Sequence, residues 1–516
     1  MKKSVVALVL IAALVLAGAA GVVALVIAGD GSGPSAGDGA TQQRHTPRPP
    51  GEGKSLQKIY DQKVGWRACG KNQCGTLVVP IDYEAPEDGT IQIALERHRA
   101  TGKKIGSLVV NPGGPGAPGT ETVRDAESYF AAELLKSFDI VGFDPRGTGA
   151  SAPVDCLDDA DLDAQIAADP DPDTPQEVAE GERYSEEFWQ GCQQRSGKVA
   201  AHVSTVEAAR DMDVLRQALG EDKLDYLGFS YGTRLGATYA ELYPEKVGRM
   251  VLDGAIDPSL SSRDGALSQA AGFETALRSY LAACVKAGDC FLGNNVEEGL
   301  ARIKGLLEDI DAKPLETADP EGRKLTSGLA FYGLITPLYN EGNWPILDEA
   351  LRKGLAGDGS VLLYLADFYG SREDGRYTDN SLEAISVINC LDDPWAVTAD
   401  EVPENFADFE KASPTFGRLF AWGLTACADI PFTATDSPDL EIDGSGAPPI
   451  LVIGTTRDPA TPYEEAVALA NQLETGLLLT RDGDGHTGYN KGNKCIDDVV
   501  HRYLVDGVVP QDGKRC

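Results

Sequence analysis

Asp225-Tyr226-Leu227-Gly228-Phe229-Ser230-Tyr231-Gly232-Thr233 decides how this chain is read. Residues 225–227 have the apolar character of a short strand, and residues 233–243 read as a helix. Between them Gly228 and Gly232 flank Ser230 in a G-x-S-x-G pattern, where small residues let the backbone turn sharply and project the serine Oγ. The motif alone is weak, since about 0.4 matches are expected by chance in a chain so rich in glycine. Gly33-Pro34-Ser35-Ala36-Gly37 also matches, in a stretch with no strand or helix around it. Context selects Ser230 as the candidate nucleophile.

A serine needs a base, and the base needs a group that orients it. With a strand-turn-helix nucleophile the chain order is Ser, then acid, then His. Only His486 and His501 come late enough; His45, His98 and His202 precede the nucleophile. His486 lies in the glycine-rich run Asp482-Gly483-Asp484-Gly485-His486-Thr487-Gly488, just after an apolar strand at 476–480. His501 falls in a helical stretch, 499–505, so His486 is preferred. The acid should follow the preceding strand, 450–454, where Asp458-Pro459-Ala460-Thr461-Pro462 offers Asp458. Asp484 is the rival, too close in sequence to His486 to orient its far side.

The third element is Asn111-Pro112-Gly113-Gly114-Pro115-Gly116, after a strand at 107–110. An oxyanion hole pairs a backbone N–H from such a loop with that of the residue after the nucleophile, here Tyr231. Gly114 is the expected first donor and Gly113 the alternative. Asp144 and Arg146, in Asp144-Pro145-Arg146-Gly147-Thr148-Gly149-Ala150-Ser151, are read as structural supports of the neighbouring turn.

Strand patterns at 76–80, 91–96, 107–111, 139–143, 225–228 and 249–252 form one block; 450–454 and 476–480 form a second. Helical patterns intervene, among them 204–219, opened by Ser204-x-x-Glu207 and closed by Gly220. Strands alternating with helices imply an α/β fold with a mainly parallel sheet. The roughly 190 residues between the blocks carry helical patterns (266–287 and 296–310) and read as a mostly helical cap inserted before the last two core strands. The expected organisation is a leader at 1–29, a linker at 30–57, core at 58–257, cap at 258–445 and core again at 446–516. A smaller insertion spans 153–203.

The 516 residues include 46 Lys+Arg against 80 Asp+Glu, a formal charge of −34. Nucleic acid and anionic lipid are poor partners for such a body. Lys2 and Lys3 precede an uncharged run to Gly29 that fits either a cleaved signal or a retained anchor. No cysteine stands at the lipoprotein position, and either form exports the body. Membrane contact is expected only through this segment. The ten cysteines (Cys69, Cys74, Cys156, Cys192, Cys284, Cys290, Cys390, Cys427, Cys495 and Cys516) agree with export, and their spacing suggests five sequential pairs. Neither a CxxC pair nor a Cys–His spacing suited to zinc occurs, so no metal and no organic cofactor are expected.

The set Asn-Pro-Gly-Gly-Pro-Gly (111–116), Asp-Pro-Arg-Gly-Thr-Gly-Ala-Ser (144–151), Gly-Phe-Ser-Tyr-Gly-Thr (228–233) and Asp-Pro-Ala-Thr-Pro (458–462) resembles the secreted bacterial tripeptidyl aminopeptidases. These are α/β-hydrolases related to proline iminopeptidase. The likeness runs from about 58 to 516 and includes Ile388-Asn389-Cys390-Leu391-Asp392. It implies Ser230, Asp458 and His486 as a triad and release of short N-terminal peptides. Pro112 stands where proline iminopeptidases usually have His, which bears on substrate range.

An exopeptidase also needs a carboxylate for the substrate ammonium; Asp392 and Asp393 are the candidates here. The expected enzyme is an exported, monomeric serine hydrolase acting on a peptide or ester substrate. A carboxylesterase or lipase with the same triad is the second reading, and a non-catalytic envelope interaction protein the third. Epoxide-hydrolase or dehalogenase chemistry fails, because it needs Asp at the elbow.

Overall fold

The computed structural model describes residues 56–434 and 440–516; the expected leader and most of the linker lie outside them. Among the described residues there are twelve strands: β1 (Arg67–Cys69), β2 (Asn72–Pro80), β3 (Thr90–His98), β4 (Gly106–Asn111), β5 (Phe138–Phe143), β6 (Leu224–Phe229), β7 (Val247–Asp253), β8 (Arg372–Glu373), β9 (Arg376–Tyr377), β10 (Ile450–Arg457), β11 (Gly476–Asp484) and β12 (Lys514–Arg515). Ten of them form one sheet in the order β1-β2-β3-β5-β4-β6-β7-β10-β11-β12, and β8 and β9 pair as a separate hairpin. From β5 to β12 all neighbours are parallel, while β1, β2, β3 and β5 pair antiparallel.

Period-2 alternation sends side chains to two cores. Val109, Val141, Tyr226, Met250, Leu252 and Val452 face one side, with Met212, Leu215, Leu235 and Leu469 from helices Thr205–Leu219, Tyr231–Leu242 and Tyr463–Gln472. Leu108, Val110, Ile140, Leu227, Val251 and Ile453 face the other, against Val123, Leu134 and Val500 from helices Gly119–Arg124, Ala132–Ser137 and Lys494–Asp506. Both faces are covered, as a parallel sheet requires.

Between β7 and β10 the regular structure of the described residues is helical apart from the β8–β9 hairpin. Helices Ser262–Ala287, Val296–Ala312, Ser327–Ile335, Trp344–Leu355 and Ser360–Tyr369 bury their own core, including Phe273, Leu277, Ile303, Leu334, Leu347 and Leu362. Helix Ser381–Asp392 differs: its Ala384, Val387, Ile388 and Leu391 join the sheet's core. This part of the expected cap range therefore packs with the hydrolase body.

Five disulfides join Cys69–Cys74, Cys156–Cys192, Cys284–Cys290, Cys390–Cys427 and Cys495–Cys516, the sequential pairing that the spacing suggested. Among the described residues no helix is long and apolar enough to cross a membrane.

Candidate active site

In an open parallel sheet the chemistry gathers at the carboxyl ends of the strands. Here the ends of β4, β6, β7, β10 and β11 deliver the 111–116 loop, Ser230, Asp253, Asp458 and His486. Ser230 has φ +54° and ψ −125°, a conformation costly for a residue with a Cβ. It is over-determined by neighbours. The Ser230 N–H donates to the Asp253 carbonyl at 2.9 Å, and the Ser230 carbonyl accepts from the Thr233 N–H at 2.8 Å and the Thr233 hydroxyl at 2.6 Å.

His486 Nδ1 lies 2.8 and 3.0 Å from the two oxygens of Asp458. That contact assigns the ring proton to Nδ1 and leaves Nε2 as the acceptor. Asp458 is 2% exposed. Its carboxylate also accepts the N–H groups of Ala460, Thr461 and Thr487, each at 3.0 Å. A buried carboxylate needs such donors to remain charged. The rival acid, Asp484, is instead engaged by Arg457 at 2.8 and 3.0 Å. His501 bonds the Tyr489 hydroxyl at 3.2 Å from the C-terminal helix.

The nucleophile and histidine elements meet at Asp253 and Gly254. The Asp253 carboxylate accepts the Gly488 and Tyr489 N–H groups, both at 2.8 Å, while its carbonyl holds Ser230. Gly254 has φ +67°, and a Cβ there would stand 3.1 Å from His486 Cε1. No sequence motif marked Asp253; it reads as the last residue of an apolar strand.

The oxyanion loop lies against the elbow. A Cβ on Gly113 would be 2.6 Å from the Phe229 carbonyl, 2.9 Å from Ser230 Cβ and 3.3 Å from the Tyr231 nitrogen. The Gly113 N–H is taken by Asn111 Oδ1 at 3.0 Å. The next N–H, that of Gly114, and the Tyr231 N–H have no acceptor among the described residues. That favours Gly114 over Gly113 as a donor. Asp144 accepts the Thr120 and Ala150 N–H groups at 3.0 Å each and so steadies the helix that follows the loop. Arg146, wholly buried, binds Asp211 through two nitrogens (2.7 and 2.8 Å) and Glu207 at 2.8 Å.

Asp392 and Asp393, the acids expected to meet a substrate ammonium, are both engaged within the protein. Asp392 is buried and accepts the Thr205 N–H at 2.8 Å and the Thr205 hydroxyl at 2.5 Å. That hydroxyl in turn meets the Tyr231 hydroxyl at 2.6 Å. Burial, then the Asp392 charge, pushes the Tyr231 phenol upward, so it stays protonated. Asp393 takes the N–H and hydroxyl of Ser262 (2.9 and 2.7 Å) and the Trp395 N–H at 3.1 Å. Asp392 ties its helix to Thr205 of the core, and Asp393 joins two segments of the insertion.

The inserted helices reach the site through backbone. The His486 N–H donates to the Tyr339 carbonyl at 2.8 Å, and the Tyr339 ring stands edge-on to the imidazole at 5.6 Å. Gln269 donates to the Ala460 carbonyl at 3.1 Å. Away from the site, Asp82, His202 and Glu207 come within metal-ligating range of one another, but Glu207 is already held by Arg146.

Fold and relatives together make the protein a serine hydrolase on an α/β-hydrolase scaffold. A family model described as alpha/beta hydrolase fold matches residues 106–299, and one described as TAP-like protein matches 413–516. Serine protease Hip1 of Mycobacterium tuberculosis is 39% identical over 490 residues, covering 90% of this chain and 93% of that protein. Carboxylesterase B of the same species is 36% identical, over 93% of this chain and 94% of its own length. A tripeptidyl aminopeptidase of Streptomyces coelicolor is 31% identical, over 86% and 84%. The chain belongs to the TAP-like family of α/β-hydrolases.

Proposed function

We propose that this protein is an exported serine peptidase that releases short peptides from the N-termini of its substrates. His486 Nε2 takes the Ser230 proton, and Ser230 Oγ attacks the carbonyl carbon. The Gly114 and Tyr231 N–H groups hold the oxyanion. The amine departs with the proton from His486, and water then hydrolyses the acyl-enzyme. Asp458 fixes the tautomer and stabilises the imidazolium. The observation that carries the serine-hydrolase part of this reading is the contact of both Asp458 oxygens with His486 Nδ1, on a loop that shares Asp253 with Ser230, and its peptidase part is supported by the relatives named serine protease and tripeptidyl aminopeptidase. Five disulfides fit an oxidising compartment outside the cytosol.

The test labels the active site with a fluorophosphonate and identifies the modified peptide; a label anywhere but Ser230 overturns the nucleophile. Free and N-acetylated tripeptide amides are then compared with short-chain p-nitrophenyl esters. Strong preference for the free amine supports the peptidase. Equal rates on free and blocked peptides, with faster ester cleavage, would favour the carboxylesterase reading, which a relative of that name makes the second choice.

A further inference from the structure

Asp253 has no place in the triad, yet it bonds the backbone of the nucleophile and of the loop that follows the histidine. It sits at the end of β7, between β6, which carries Ser230, and β10, which leads to Asp458; it pairs with Phe229 on one side and Ile453 on the other. It is fully buried. Its main-chain oxygen fixes the Ser230 N–H, and its two carboxylate oxygens each take one N–H from the residues directly after the His486–Thr487 pair. A buried carboxylate facing only two amide donors is an expensive group to keep in a core. An apolar residue would fill the strand end but leave both amides without an acceptor, so the acid ties the loop after His486 to β7. The charged groups facing it are His486, Asp458 and Lys491, with Arg481 packed beside Gly488.

We propose that Asp253 is a positioning residue of the reaction, whose carboxylate sets the His486 loop against Ser230 and whose charge sustains the basicity of the imidazole. The inference rests on the triad reading above. Its chemistry is electrostatic and geometric, with no bond made or broken at Asp253. Its anion favours the imidazolium that forms when Ser230 loses its proton. Burial pushes the Asp253 carboxyl up to about 6, so its charge is lost in mildly acid solution. A protonated Asp253 can no longer accept from both amides without a competing O–H.

The experiment is Asp253→Asn in the full chain, with kcat, KM and the pH profile of kcat/KM measured beside the native enzyme. The variant keeps the shape, removes the charge and replaces one of the two acceptor oxygens with an amide that faces an N–H. We expect kcat to fall 10- to 100-fold, KM to change less than about threefold, and the acid limb to move to lower pH. Unchanged kcat and an unmoved acid limb in a folded variant overturn the proposal. If the variant does not accumulate folded, Asp253→Glu, which keeps the charge but displaces the carboxylate from the Gly488 and Tyr489 amides, supplies the readout. A lowered kcat with an unmoved acid limb supports the proposal, and native kcat overturns it. Native enzyme that is not labelled at Ser230 at any pH overturns the triad reading itself and this inference with it.

Discussion

A serine hydroxyl becomes a useful nucleophile only when a base can take its proton, and His486 can do so only with its own proton on Nδ1. Asp458 enforces that tautomer. Asp458→Asn should preserve the fold and lower kcat by on the order of 10⁴-fold, as a wrong tautomer does in other triads; steady-state kinetics and a circular dichroism spectrum check both halves. Ser230→Ala should cost at least ~10³-fold in kcat/KM with the thermal midpoint nearly unchanged. Asp392→Ala is expected to behave differently. It leaves the buried Thr205 N–H without its acceptor, so stability should drop by ~1–3 kcal/mol in a urea titration. The ratio of free to N-blocked peptide turnover should not move. A changed ratio would return Asp392 to substrate binding. Ser230, Asp458 and His486 were legible because each sits in a glycine- or proline-marked turn after a strand, a local signal. Asp253 was not, because Val-Leu-Asp-Gly reads as any strand end and its partners lie 235 and 236 residues away. Nearness to Cys390 does not disclose the protein donors from which Asp392 and Asp393 accept.

At the scale of elements, eight of the sheet's strands lie within a few residues of the apolar runs that predicted them, because each run is bounded by turn residues. β1 and β12 went unseen: strands of three and two residues carry no periodicity. The helix Thr205–Leu219 begins at its Ser204 cap as expected, with the Ser204 hydroxyl accepting the Glu207 N–H at 3.3 Å. The Glu207 carboxylate, however, serves Arg146 and His202, a tertiary demand that no local pattern discloses. The oxyanion loop gives the element-level prediction. Gly113→Ala places a Cβ where the Phe229 carbonyl and Ser230 Cβ already stand. The loop must retreat, and loss of one donor should reduce kcat by on the order of 10²–10³-fold with KM little changed. Retained kcat in that variant would locate the oxyanion donors elsewhere.

For the whole molecule, the dominant quantities are its charge of −34 and its buried acids. Burial lifts Glu383 and Glu465 to about 7, and Asp253 to about 6, all above their unfolded values. The folded state thus binds protons more tightly than the unfolded chain between about pH 4.5 and 7. Stability must then rise as pH falls through that window and level off above it. Relief of self-repulsion acts in the same direction. The thermal midpoint, read by calorimetry, should therefore be higher at pH 6 than at pH 8. Added salt at pH 8 should also raise the midpoint. Glu383→Gln should flatten part of the pH slope, since its two donors, the Cys156 and Leu157 N–H groups, keep an acceptor while the charge disappears.

The carbonyl of Tyr339 holds the backbone of His486, and Gln269 holds the Ala460 carbonyl two residues beyond Asp458. The inserted helices are consequently no interchangeable module. A graft taken from another hydrolase would arrive with its own selectivity but without the acceptor that stills the general base. Natural drift in this region should be read out in turnover as much as in choice of substrate, and lid-swapping libraries built on this scaffold need to carry residues 339 and 269 unchanged.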